Sequence, residues 1–339
     1  MNRPPLIDTS LKNKNKNKNN NTVNVLLVVP DTLPNLYDEY IIDISDCNII
    51  KVEDNRDSIL SKIKGVNAII GCPRSIFDDE IILASEGSLQ WVHNPGAGIE
   101  HFLTDGLINS DIVFTNGKII QGTECADHAL ALVLALTRNI VRTLKLEHGS
   151  NMPRPIELLN KKAVVIGVGG IGLGIAERLA AFGVDVTGVD DDYVPMLSFL
   201  KKVEKLEDLP RLVNDADMIF MSAPHTFKTN KIINKSLVKK FKKGSYFINV
   251  SRGETADIEA LTFALEENIL AGVGLDVTDP EPLPSNHKLR EYENVVITSH
   301  IAGLSEFNRR RSCLLVRENI LRFSNGENLI NIVNKIAGY

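Results

Sequence analysis

Short apolar runs rich in Val, Ile and Leu recur along the chain from Val23 onward, and stretches with apolar residues three or four apart fill the intervals. The first such block predicts strands at Val23–Val29, 66–70, 89–92 and 112–114, with helices over 57–64 and 78–84. A second block predicts strands at Lys162–Ile166, 184–189, 217–222, 245–250, 272–276 and 294–298. Runs without polar alternation read as strands buried on both faces, so strands alternating with helices imply right-handed, doubly wound parallel sheets. Between the blocks, residues 126–141 are nearly all apolar but too few to span a bilayer, and they predict one buried helix between two domains. Residues 304–323 predict a last long helix that returns to the first block together with 329–339.

Composition changes this picture at one end only. The 339 residues suffice for two domains, and 43% hydrophobic with 24% charged content fits a globular chain. Residues 12–21 alternate Lys and Asn and hold nothing to bury, so 1–22 are expected to be a disordered tail. Residues 147–155, with Gly149, Pro153 and Pro155, read as a linker. The net charge of −5 gives no reason to expect nucleic acid or a membrane as partner. The four cysteines are scattered without a C-x-x-C pair, so no metal site and no disulfide framework is expected, and a cytoplasmic location fits.

The most informative stretch follows the strand Lys162–Ile166. Gly167, Gly169 and Gly172 stand at G-x-G-x-x-G spacing, a helical pattern over 173–182 comes next, and Gly183 stops it before the strand that ends at Asp190. Gly167 permits the tight turn, Gly169 lets backbone approach a pyrophosphate, and Gly172 lets helix and strand pack closely. The helix N-terminus, with Gly170 and Ile171, offers N–H groups to phosphates. Asp190, about 20 residues beyond the glycines, can accept from ribose hydroxyls. A 2′-phosphate beside Asp190, Asp191 and Asp192 would meet three carboxylates with no basic neighbour in sequence, so NAD is favoured over NADP.

Later strand ends bring chemistry to the same sheet edge. Arg252, Asp276 and His300 follow three of them, Glu281 lies five residues past Asp276, and Ala223, Pro224, Val250 and Gly303 are expected to line the cofactor. Reduction of a 2-keto acid needs a clamp for the carboxylate, polarisation of the carbonyl and a proton for the alkoxide. Arg252 can supply the first two, His300 the third, and Glu281 can orient the imidazole. Taken singly, Arg252 could be a solvated ion-paired residue and His300 an ordinary strand-end histidine. Asp276 could cap a turn. His128 reads as structural, and His225 could meet the cofactor through backbone. Arg74 lies on a loop that could face substrate, or it is simply solvated. No Tyr-x-x-x-Lys pair is present.

These residues carry a resemblance. The motifs Asn94-Pro-Gly-Ala-Gly-Ile-Glu100, Ala126-Asp-His-Ala-Leu-Ala-Leu132, Gly167 to Gly172 with Asp190, Asn249-Val-Ser-Arg-Gly253, Gly274-Leu-Asp-Val277 with Glu281-Pro-Leu-Pro284, and Ser299-His-Ile-Ala-Gly303 resemble the D-isomer-specific 2-hydroxyacid dehydrogenase family of NAD-dependent enzymes. The resemblance implies an α/β fold of two domains. A Rossmann NAD-binding domain (123–299) is inserted in a smaller flavodoxin-like substrate-binding domain (23–122 and 300–339). It implies that Arg252, Glu281 and His300 are catalytic, that Asp276 binds the nicotinamide carboxamide, and that Ala97 and Gly98 offer backbone N–H groups to the substrate carboxylate. The expected partner is a small 2-keto or 2-hydroxy acid, and a homodimer is expected. Ser299 stands where relatives often have Pro, Asp127 where they have Glu, and Asn94 where phosphoglycerate-type members carry Arg. Glu281 argues against formate dehydrogenases, which use Gln there. The competing reading is an NAD-binding corepressor-like regulator of the same fold.

Overall fold

The computed structural model of the protein describes residues 22–30, 37–41, 44, 47–145, 154–192, 194 and 197–339. It consists of two compact units. One runs up to Ile120 and takes in Ser305–Tyr339; the other is Gln121–Leu304. The sequence puts these divisions at 122/123 and 299/300. The expected disordered tail, apart from Thr22, and the expected linker, apart from Arg154 and Pro155, lie outside the described residues.

The first unit is built on a five-stranded parallel sheet of β1 (Val23–Val29), β2 (Cys47–Glu53), β3 (Ala68–Ile70), β4 (Trp91–Asn94) and β5 (Val113–Asn116), in the order β2-β1-β3-β4-β5. That is the flavodoxin-like order. β1 shows why it forms. Leu26 and Val28 pack on one face with Ile59, Ile81 and Phe114, while Val25 and Leu27 pack on the other with Trp91, Val316 and Phe323. Each such side chain contributes roughly 1.5–3 kcal/mol when fully buried. The helices Arg56–Lys62 and Asp79–Ala84 start at the side-chain caps Asn55 and Asp78, which accept from Ser58 N and Ile81 N. The expected helix over 304–323 is observed as Asn308–Ser324. β4 runs two residues further than the 89–92 expected, because His93 is also buried and keeps the strand paired as far as Asn94. The loop 95–98 therefore leaves from the carboxyl end of the sheet.

The second unit holds a seven-stranded parallel sheet of β6 (Lys162–Ile166), β7 (Asp185–Val189), β8 (Lys202–Glu204), β9 (Met218–Met221), β10 (Ser245–Asn249), β11 (Leu270–Leu275) and β12 (Val295–Ile297). The order is β12-β11-β10-β9-β6-β7-β8. The chain enters at β6, winds outward through β7 and β8, then returns to β9 on the other side of β6. The crevice at the carboxyl end of β6, between the two directions of winding, is where a doubly wound sheet binds its ligand. The helix Gly122–Thr137 packs on the helix Gly170–Ala181 and on β10 and β11 of its own unit. Small residues permit the approach: a Cβ on Gly174 would lie 2.9 Å from that of Ala126. The single helix expected over 126–141 is corrected here. It ends at Thr137, Asn139 turns with φ 55, and a separate helix runs Ile140–Lys145.

Candidate active site

The glycine loop is built as its spacing demands. Gly167 has φ +86, and a Cβ there would lie 2.4 Å from Ala223 Cα. A Cβ on Gly172 would fall 1.9 Å from Gly167 O. Gly169 is different: it caps the helix Gly170–Ala181 without a side-chain hydrogen bond, and a Cβ there would meet nothing within 4 Å. The loop is therefore packed shut beneath and open above Gly169. The opening faces the helix N-terminus, whose amides suit a pyrophosphate. Ser222, at the end of β9, fixes the floor by donating to Gly167 O at 2.8 Å. No local pattern singles out Ser222, because its partner lies 55 residues away.

Asp190 sits half-buried beside this loop. Its Oδ2 accepts from Val168 N at 2.7 Å and its Oδ1 from Asp192 N at 2.9 Å, so the carboxylate is aimed at the crevice wall rather than out to solvent. Its neighbour Asp191 pairs with Lys228 Nζ at 2.8 Å and accepts from Leu206 N at 3.2 Å. The Lys228 ammonium, then the Leu206 amide, hold the Asp191 carboxyl below its ordinary range. Lys205 Nζ donates to Asp191 O at 2.6 Å. The absence of a basic neighbour, true along the sequence, is thus corrected in space: two lysines border the acidic run. With Leu206 and Glu207 they line a cleft of 380 Å³.

At the other end, Arg252 leaves β10 half-buried, with Nη1 donating to Ser251 O at 2.7 Å. Its loop is pressed onto the next one, since a Cβ on Gly253 would lie 2.1 Å from Thr278 O. That next loop carries Glu281. Oε1 of Glu281 lies 2.6 Å from Nδ1 of His300. A carboxylate only accepts, so Nδ1 carries the hydrogen and Nε2 is left for chemistry. Asp276 is 1% exposed. Its carboxylate accepts from Thr298 Oγ1 at 2.6 Å, Ile301 N at 3.0 Å and Ala302 N at 2.9 Å. Gly303 adjoins this turn, and Gln121 Nε2 donates to its carbonyl at 3.3 Å. Val250, the residue after β10, is buried, and the carbonyl of Pro224 accepts from Thr229 Oγ1 at 2.6 Å.

The remaining expected site residues belong to the first unit. Asn94 holds its loop by accepting from Gly96 N at 3.1 Å and donating to Gly98 O at 2.5 Å, and Asn116 Nδ2 donates to Ala97 O at 2.7 Å. These side chains shape the backbone at Ala97 and Gly98. Arg74 is exposed on the loop after β3, the strand beside β4. Among the described residues, no group of three or more His, Cys, Asp or Glu could hold a metal.

A glycine cradle at the switch point, a carboxylate at the end of the neighbouring strand and an Arg, Glu and His set on one sheet edge define a dinucleotide-dependent oxidoreductase. Residues 130–302 match the family model of the D-isomer specific 2-hydroxyacid dehydrogenase NAD binding domain. The chain is 30% identical over 296 residues to a glyoxylate reductase of Thermofilum pendens, covering 83% of this chain and 85% of that one. It is 29% identical to a D-3-phosphoglycerate dehydrogenase of Methanocaldococcus jannaschii, covering 82% of this chain but 54% of that one. A D-isomer specific 2-hydroxyacid dehydrogenase from Xanthobacter autotrophicus, solved with NADPH and MES, superposes with a TM-score of 0.81 at 24% identity, covering 94% of this chain and 100% of that one. The chain belongs to the D-isomer specific 2-hydroxyacid dehydrogenase family. It is an NAD(P)-dependent oxidoreductase of 2-hydroxy acids, and the corepressor-like reading is not favoured.

Proposed function

We propose that this protein reduces a small unbranched 2-keto acid such as glyoxylate, with NADH as preferred cofactor. The observation that carries the reading is the His300–Glu281 pair at 2.6 Å, on the sheet edge that holds the glycine cradle. A dinucleotide held by the glycine cradle would supply the hydride. Arg252 receives the substrate carboxylate in its planar fork and draws charge toward the carbonyl oxygen. Nε2 of His300 gives its proton to that oxygen as it becomes a hydroxyl, and Glu281 holds the ring in line.

A small substrate is supported by the glyoxylate reductase at 30% identity, 85% of which this chain covers. Oxidation of NADH by glyoxylate, hydroxypyruvate, pyruvate and branched 2-keto acids is the test. Fastest turnover with the two-carbon or three-carbon acids supports the proposal. Tight NADH binding with no turnover of any 2-keto acid overturns it. A homodimer in the cytoplasm completes the reading. Sedimentation as a monomer, or fractionation away from the cytoplasm, would remove those parts. Among the described residues no helix is long and apolar enough to cross a membrane.

A further inference from the structure

We infer that His128 is a positioning residue for His300, acting through Thr298 and Asp276; the inference rests on the reading of His300 as the acid–base group. Three consecutive amides end on Asp276. His300 N donates to its carbonyl at 2.9 Å, Ile301 N to Oδ1 at 3.0 Å and Ala302 N to Oδ2 at 2.9 Å. The turn needs such support, because His300 has φ 55, in the left-handed region that a non-glycine residue adopts only when its surroundings impose it. Asp276 is itself held. Thr298 Oγ1 lies 2.6 Å from Oδ1 and must donate its one hydrogen there, since a carboxylate cannot.

That hydrogen bond fixes the next one. With its proton committed to Asp276, Thr298 Oγ1 can only accept from Nε2 of His128, 2.8 Å away. Nε2 of His128 therefore carries hydrogen, which also suits its distance of 3.4 Å from Asp276 Oδ1. His128 stands on the helix Gly122–Thr137, flanked by the buried Ala126, Ala129 and Leu130. The route is thus a rigid helix, an imidazole N–H, a hydroxyl, a buried carboxylate and the turn that aims His300. Without the His128 N–H, the Thr298 hydroxyl can turn away from Asp276, and the carboxylate loses the partner that sets its angle. Glu281 then remains as the other support of the His300 ring. A displacement of about 1 Å at a reacting group reaches 10²-fold in rate, so a remote donor can matter this much.

The test compares wild type, His300→Ala, His128→Leu, Thr298→Val, the double variant of the last two and His128→Gln as full chains with NADH and the best keto acid. His128→Leu and Thr298→Val should each lower kcat by about tenfold or more with KM for the keto acid changed by less than about threefold. The double variant should be no worse than the poorer single one, because both cut the same route. His128→Gln, which keeps an N–H near the hydroxyl, should recover to within about threefold of wild type. NADH affinity, read by fluorescence titration, should fall by less than kcat does, because the glycine cradle is untouched and only the expected Asp276 contact is disturbed. If His128→Leu and Thr298→Val both keep wild-type kcat while His300→Ala loses it, the positioning role is overturned and the acid–base reading stands. If both fold and lose kcat but His128→Gln does not recover, the hydrogen-bond route is likewise overturned. If wild type turns over no keto acid, or His300→Ala keeps full turnover, it is the acid–base reading that fails.

Discussion

Nδ1 of His300 lies 2.6 Å from Oε1 of Glu281, although the two residues are 19 apart in sequence and both side chains remain partly open to solvent. The pairing decides the tautomer and leaves Nε2 on the free side of the ring. Replacing Glu281 by Gln keeps an oxygen that can accept from Nδ1 but removes the charge beside the ring. The Glu281→Gln variant should lose about 10- to 100-fold in kcat while binding NADH as before, and His300→Ala should lose about 10³-fold. Steady-state kinetics with a saturating keto acid checks both. A Glu281→Gln enzyme with wild-type kcat would remove Glu281 from the chemistry.

Gly169 and Gly172 lie three residues apart and predict opposite outcomes. A side chain at Gly172 collides with Gly167 O, whereas one at Gly169 enters open space above the helix N-terminus. Gly172→Ala should therefore damage the fold, lowering Tm by roughly 10 °C or abolishing soluble yield. Gly169→Val should melt within about 2 °C of wild type yet bind NADH at least about tenfold more weakly, because the methyls stand where the pyrophosphate approaches. Thermal scans and fluorescence titration separate the two. Wild-type NADH affinity in Gly169→Val would show that the dinucleotide does not lie over this glycine.

Asp190 and the Lys228–Asp191 pair make cofactor choice a balance. The Asp190 carboxylate, turned onto the loop at Val168 N, opposes a 2′-phosphate, while Lys205 and Lys228 line a cleft with its neighbour Asp191. Wild type should bind NADH at least about tenfold more tightly than NADPH, and Asp190→Ser should bring the two within about threefold. The outcome that would reject this balance is an Asp190→Ser variant that loses NADH affinity and gains none for NADPH.

What could be read from the sequence follows the range of the interactions. The stretch from β6 through the glycines to β7 was legible because strand, turn, helix and acid are neighbours along the chain, each with its own local signal. Arg252, Glu281 and His300 were legible as strand-end residues in motifs. β8 escaped notice because it is a three-residue edge strand, Lys-Val-Glu, with no fully buried position. β2 escaped for the same reason: as the edge beside β1 it alternates partly buried and exposed residues and makes no apolar run. The break at Asn139 was hidden by apolar residues on both sides of it. Lys228 beside Asp191 and His128 beside Thr298 are pairings across 37 and 170 residues, and no periodicity reports those.

His93 gives the first unit a built-in sensitivity to acid. Its ring is wholly buried beside Trp91, Nδ1 lies 2.7 Å from Thr115 Oγ1, and Nε2 has no hydrogen-bond partner among the described residues. Burial pushes the imidazole down to about 3. Its unfolded counterpart titrates near 6.5, so between these values the unfolded chain binds a proton that the fold excludes. Stability is therefore unaffected by this group above about pH 6.5 and falls as pH drops through the window, by roughly 2 kcal/mol at about pH 5. His93→Leu removes the titrating group at similar volume and should flatten this dependence, with the difference in unfolding free energy between about pH 7.5 and about pH 5 shrinking by roughly 2 kcal/mol. The measurement is direct, because Trp91 is the one tryptophan in the sequence and its ring lies 6.0 Å from that of His93. Urea unfolding followed by its fluorescence reports on the unit that carries the histidine. An unchanged pH dependence in His93→Leu would mean that other groups account for the acid response.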